Sequence, residues 1–145
     1  MRVFLDANIL IDKYDSTRPL HQFSHSAYEY LLLSGCEIFT SCDIISTLYY
    51  VGSKKDKKQI LLDIRNINKT LKVIEFSNKE VEETCKLMLE DSDYSDLEDT
   101  IQYIMAKKYK CDLIISNDER FASKEIQLMS SEEFYKNIIK NNQTL

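Results

Sequence analysis

Three aspartates stand where a protein of this size could do chemistry. Asp6 directly follows the apolar run Val3-Phe4-Leu5, and Asp118 follows the apolar run Leu113-Ile114-Ile115 with only Ser116 and Asn117 between. Asp99 lies in the first turn of an amphipathic stretch that immediately precedes the second run. If the two runs are neighbouring strands of one open sheet, the three acids meet beyond its carboxyl ends, where such sheets form their sites. Carboxylates held close together repel, and burial raises their pKa values. A hard divalent cation such as Mg²⁺ or Mn²⁺ relieves both effects with oxygen ligands. A bound ion lowers the pKa of its water and offsets charge on a phosphodiester under attack. Each acid also has a purely structural reading. Asp118 could cap a helix carrying Phe121, with Ser116 and Glu119 forming a capping box, and Asp99 could complement a helix dipole. The three on one edge favour chemistry over coincidence.

Other chemistries find little support. There is no Ser-His-Asp or Cys-His pattern, and with only two glycines there is no Gly-rich phosphate loop. The two histidines, His21 and His25, and the four cysteines, Cys36, Cys42, Cys85 and Cys111, lack the spacing of a zinc site. The cysteines are expected to be reduced and mostly buried, as in a cytoplasmic protein. Met1-Arg2 brings a charge too early for a signal peptide, and no apolar run reaches the length of a membrane span.

The elements that must hold the acids can be read from periodicity. Arg2–Leu5, Glu37–Thr40, Leu71–Ile74, Asp112–Ile115 and Ile126–Met129 are short strand candidates. Between them lie helical stretches at Asn8–Tyr14, His21–Ser34, Ile44–Tyr50 and Gln59–Ile67. Capping boxes Ser77/Glu80, Ser95/Glu98 and Ser130/Glu133 predict three further helices. In the second of these, Leu97, Ile101, Ile104 and Met105 share the buried face. Gly35 stops one helix, and Arg18-Pro19 and Gly52-Ser53 are breaks. Strands alternating with helices imply an α/β sandwich around a mainly parallel sheet. At 145 residues the chain is read as a single domain, 1–145, with a frayed tail at about 141–145. The net charge of −5 excludes a non-specific nucleic-acid coat, though not an enzyme that meets RNA through cations.

Three segments resemble those of PIN-domain nucleases, particularly the VapC-like toxin branch. They are Phe4-Leu5-Asp6-Ala7-Asn8-Ile9-Leu10-Ile11-Asp12, Asp96-Leu97-Glu98-Asp99-Thr100-Ile101-Gln102-Tyr103, and Leu113-Ile114-Ile115-Ser116-Asn117-Asp118-Glu119-Arg120-Phe121. The stretch from Thr40-Ser41 through Thr47-Leu48-Tyr49-Tyr50 resembles the helix after the second strand in that branch. The resemblance implies a PIN-like three-layer α/β/α sandwich and a Mg²⁺- or Mn²⁺-dependent endoribonuclease. It implies that Asp6, Asp99 and Asp118 bind metal, that Asp96 is an additional acid, and that Asn8 and Ser116 orient the ligands. It also implies a cognate antitoxin protein as partner. Many such domains form homodimers, for which the apolar helix Ile44–Val51 offers a contact surface.

This chain departs from the pattern at Thr47, where the family commonly has an acid or sometimes Asn. Asp43, one helical turn earlier, could substitute, or could simply cap the helix. Lys54, Lys55, Lys57 and Lys58, and Lys107, Lys108 and Lys110, are two runs that could meet RNA phosphates or form solvated faces. Two other functions stay open at this stage. One is a PIN-like module that binds RNA or protein without cutting, after losing the acid at Thr47. The other is a phosphatase of the haloacid-dehalogenase type, weakly suggested by Asp6-Ala7-Asn8 and Asn117-Asp118. That family normally has Asp where this chain has Asn8, and this chain has no room for a cap domain.

Overall fold

Val3, Phe4 and Leu5 are all fully buried, and so are Ile114 and Ile115, so the sheet they belong to meets water on neither face. Such two-sided burial is the mark of a parallel sheet with helices on both sides. The computed structural model describes residues 1–143 and has this architecture. The strands are β1 (Arg2–Leu5), β2 (Glu37–Ser41), β3 (Lys72–Ile74), β4 (Leu113–Ile115) and β5 (Gln127–Met129). They pair in parallel throughout, in the order β3-β2-β1-β4-β5.

The helices are α1 (Ala7–Tyr14), α2 (His21–Leu33), α3 (Cys42–Gly52), α4 (Lys57–Thr70), α5 (Asn78–Glu90) and α6 (Leu97–Lys108). At the C-terminus α7 (Ser131–Phe134) runs through a π-helical turn (Tyr135–Ile139) into α8 (Lys140–Gln143). From β1 the chain steps outward twice, to β2 and then β3, through α1–α2 and α3–α4. It then returns across the sheet through α5–α6 to β4 on the other side of β1. Right-handed crossovers in opposite directions put the first four helices on one face and α5–α6 on the other. The packing follows suit, with α1 against α2 and α3, α2 against α7, and α5 against α6. The result is a three-layer α/β/α sandwich whose strand order reverses between β1 and β4.

The expected boundaries mostly hold, with physical reasons for the differences. Gly35 ends α2 at a φ of 70°, where a side chain would be strained. The capping boxes at Ser77 and Ser130 are both formed. The box expected at Ser95 is not: Asp96 is the N-cap of α6, its Oδ1 accepting the Asp99 N–H at 2.9 Å. Leu97 is consequently 52% exposed rather than buried, while every residue from Thr100 to Ala106 is buried. No helix forms at Asp118; the chain turns there instead. The tail expected to fray is helical through Gln143, and its last two residues, 144–145, lie outside the described residues. Of the cysteines only Cys111 is buried, and Cys85 is exposed. No helix among the described residues is long and apolar enough to cross a membrane.

The α3–α4 corner is held by a close approach. A Cβ added at Gly52 would stand 2.5 Å from Ile60 Cγ1 and 2.9 Å from its Cβ. Ile60 is itself buried, so α4 rather than a loose side-chain tip would have to move. Gly52→Ala is expected to destabilise the fold by about 1–3 kcal/mol. Urea unfolding reads this as a lower midpoint, and an unchanged midpoint would show that the corner relaxes freely.

Candidate active site

Asp6 follows β1 and caps α1, so one residue ends a strand and starts a helix. Its N–H donates to the Ile115 carbonyl at 3.1 Å, which carries the β1–β4 ladder one residue further. The side chain is 3% exposed. Its Oδ1 accepts from the Ala7 N–H at 2.6 Å, and its Oδ2 accepts from Ser116 Oγ at 2.6 Å and Asn8 Nδ2 at 2.9 Å. Burial pushes the Asp6 carboxyl up from its ordinary value, while the Ser116 and Ala7 donors pull it back. Asn8 and Ser116, expected to orient the ligands, both touch the Asp6 carboxylate.

Ser116 also sets Asp118, because the Asp118 N–H donates to Ser116 Oγ at 3.1 Å. Asp118 Oδ1 accepts from the Arg120 N–H at 2.9 Å, closing an Asx turn in place of the expected helix cap. Asp99 reaches the same crevice from the first turn of α6. Its carboxyl is pushed up to about 8 by burial first, then by the charges of Asp6, Asp96 and Asp118 and by a hydrogen bond shared with Asp118. Asp96 itself is exposed and occupied as the N-cap. It adds negative charge near Asp99 from the rim.

Two groups went unread in the sequence. Glu98 was assigned to a capping box with Ser95; with the cap at Asp96 it is released and turns toward α3. Thr47 Oγ1 donates to Glu98 Oε1 at 3.4 Å. Burial, then Asp43 and Asp6, raise the Glu98 carboxyl above its ordinary value. The other is Asn117, the centre of a network behind the acids. Its Nδ2 donates to Asp12 Oδ2 at 2.7 Å and Ser24 Oγ at 3.0 Å, and its Oδ1 accepts from the Ser131 N–H and hydroxyl at 3.0 and 2.8 Å. Its backbone N–H donates to Asn8 Oδ1 at 3.0 Å. Asp12 is in turn paired with Arg18.

Four lysines of the two runs have partners within the fold. Lys55 pairs with Asp15 and Lys54 sits over the Tyr50 ring, while Lys107 and Lys108 pair with Glu125 and Glu80.

A PIN domain match spans residues 3–126. The chain belongs to the PIN domain family. It is 44% identical over 133 residues to "Ribonuclease VapC1" of Aquifex aeolicus (strain VF5), covering 92% of both chains. Two solved structures share the fold at low identity. VapBC from Salmonella typhimurium, bound to DNA, aligns with a TM-score of 0.70 at 13% identity, over 90% of this chain and 98% of that one. VapBC2 from Rickettsia felis, bound to a promoter DNA fragment, gives 0.69 at 20% identity, again over 90% and 98%. Membership in the PIN family removes the haloacid-dehalogenase reading.

The donor set of this PIN site is made of carboxylate oxygens, which suit a hard divalent cation. Among the described residues no three acidic, histidine or cysteine side chains are closed around one metal-sized point. Burial and the neighbouring acids push the Asp99 carboxyl up to about 8, which favours a proton there, a role a cation would take over.

That proton has a consequence for stability. Asp99 rises from 3.8 to about 8 on folding, so between those values the folded chain holds a proton that the unfolded chain has released. Stability without metal therefore falls as pH rises through this window. In EDTA, Asp99→Asn is expected to melt with wild type near pH 4 and a few degrees above it at pH 8, on the order of 1 kcal/mol after solvent screening. Coincident melting curves at pH 8 would mean that these carboxylates are not crowded.

Proposed function

We propose that this chain is a divalent-metal-dependent endoribonuclease, the toxin of a toxin–antitoxin pair, acting through Asp6, Asp99 and Asp118. The observation that carries the site assignment is the meeting of these acids where the strand order reverses, with Asp99 driven up by burial and then by its acidic neighbours. Asp6, Asp99 and Asp118 would hold the ion, Mg²⁺ or Mn²⁺, with Asp96 contributing charge from the rim. When bound, such an ion supplies positive charge against the phosphodiester and lowers the pKa of its water. The protein's own part is positional. Ser116 and Asn8 fix the rotamer of Asp6, and Ser116 ties Asp118 to the same hydroxyl. Asp99 must give up its proton before all three acids can act as ligands.

The test is cleavage of a structured RNA pool with Mn²⁺ or with EDTA. Wild type is expected to cut only with metal, and Asp6→Asn and Asp99→Asn to lose at least about 100-fold in rate while remaining folded. Wild type that binds metal yet does not cut would leave the non-cutting PIN-like module, with Thr47 as its cause.

The antitoxin partner has a surface that suits it. A groove of about 330 Å³ runs between α1, α3 and α4, floored by Leu10, Leu48, Val51, Ile60 and Ile67 and edged by Asp15, Arg18 and Lys55. An apolar floor with a charged rim fits an amphipathic segment laid into it. The homodimer face was expected on the same helix, α3, whose Tyr50 is 66% exposed and points away from the groove floor's buried Leu48. Val51→Glu is expected to abolish co-purification with a co-expressed antitoxin while leaving RNA cleavage by the isolated chain intact. Retained co-purification would move the partner elsewhere, and loss of dimer alone would assign the groove to a second copy.

A further inference from the structure

Where the second motif of this site has Thr47 in place of an acid, we propose that Glu98 supplies the missing carboxylate from the opposite helix, with Asp43 beside it, and completes the cation-binding set. This rests on the metal-dependent reading above and adds ligands to it.

Thr47 lies on α3 and Glu98 in the first turn of α6, and the 3.4 Å contact between Thr47 Oγ1 and Glu98 Oε1 is the point where the two helices meet at the crevice. A longer acidic side chain at position 47 would end in the space Glu98 now fills. The register of α6 makes this so. With Asp96 as N-cap, Glu98 is one position short of the place from which a side chain folds back on the cap, so its carboxylate is free to cross to α3.

Two further observations point to a ligand that these groups await. Asp43, one turn before Thr47, places Oδ1 in a buried position with no hydrogen-bond partner. A buried carboxylate oxygen without a donor is uncompensated, and a cation settles it. Gln102, one turn beyond Glu98, is 0% exposed, and neither of its amide atoms meets a partner in hydrogen-bond geometry. It lies near enough to Asp6 to favour that carboxylate's charged form, so it faces the crevice from beneath. Glu98 also senses the charges of Asp43 and Asp6, so the two halves of the crevice are electrically one. If Glu98 served only to complement the dipole of α6, its neutralisation would leave metal binding untouched.

The probe is Mn²⁺ alone, titrated into the full chain by calorimetry and followed independently as the Mn²⁺-induced rise in melting temperature. Glu98→Gln is expected to weaken Mn²⁺ binding by about tenfold or more, with far-UV circular dichroism unchanged. Adding Thr47→Glu to that variant is expected to recover most of the affinity, since the carboxylate then arrives from the other side of the same contact. Glu98→Gln that titrates like wild type, while Asp6→Asn does not, overturns this inference and leaves the metal-dependent reading standing. Loss in Glu98→Gln with no recovery in a folded double variant also overturns it, because position 47 then has no equivalence to Glu98. Wild type that binds no Mn²⁺ overturns both.

Discussion

A carboxylate buried at the carboxyl end of the central strand of a parallel sheet is the constraint around which this molecule is arranged. Asp6 has almost no exposure, and an ion so placed costs several kcal/mol unless hydrogen bonds answer it. The answer comes from three directions: the first amide of α1, the amide of Asn8, and the hydroxyl of Ser116. Ser116 is distant in the chain and arrives only because β4 pairs with β1 in this register. The crossover that returns the chain from β3 to β4 is therefore as necessary to the acid as the hydrogen bonds are. Fold and site answer the same demand.

Around that buried carboxylate the remaining acids are placed with electrostatic economy. Glu98 and Asp99 occupy the first turn of α6, where the helix dipole favours negative charge, and Lys107 and Lys108 occupy its last turn. Asp118 sits in a turn that accepts a backbone N–H rather than standing bare. Asp99, by contrast, is pushed up to about 8 by burial first and then by the charges around it. That cost to its charged form is what a divalent ion relieves.

How far the sequence could be read follows from how local each signal is. The order of strands and helices was legible because apolar periodicity and caps at Ser77 and Ser130 are settled within a few residues. Asp6 and Asp118 were legible as strand-end acids once the strands themselves were. The start of α6 was not: Ser95 and Asp96 are both good caps, and the spacing from Ser95 to Glu98 makes a complete capping box. In the fold Asp96 takes the cap, and that shift exposes Leu97 and frees Glu98. The partners of Lys55, Lys108 and Lys107, namely Asp15, Glu80 and Glu125, were not legible for a related reason: they are far away in the chain.

Asn117 shows what the neutral part of the crevice contributes. Its side-chain amide donates twice and accepts twice, to groups on α1, α2 and α7, which an aspartate of the same shape could not do. Its backbone N–H meanwhile anchors Asn8. The frame that aims the acids is thus built largely from amides and hydroxyls, which do not themselves titrate. Protons and cations can come and go at the carboxylates while the frame keeps its shape, so the charge state of the crevice and its geometry behave as separate variables.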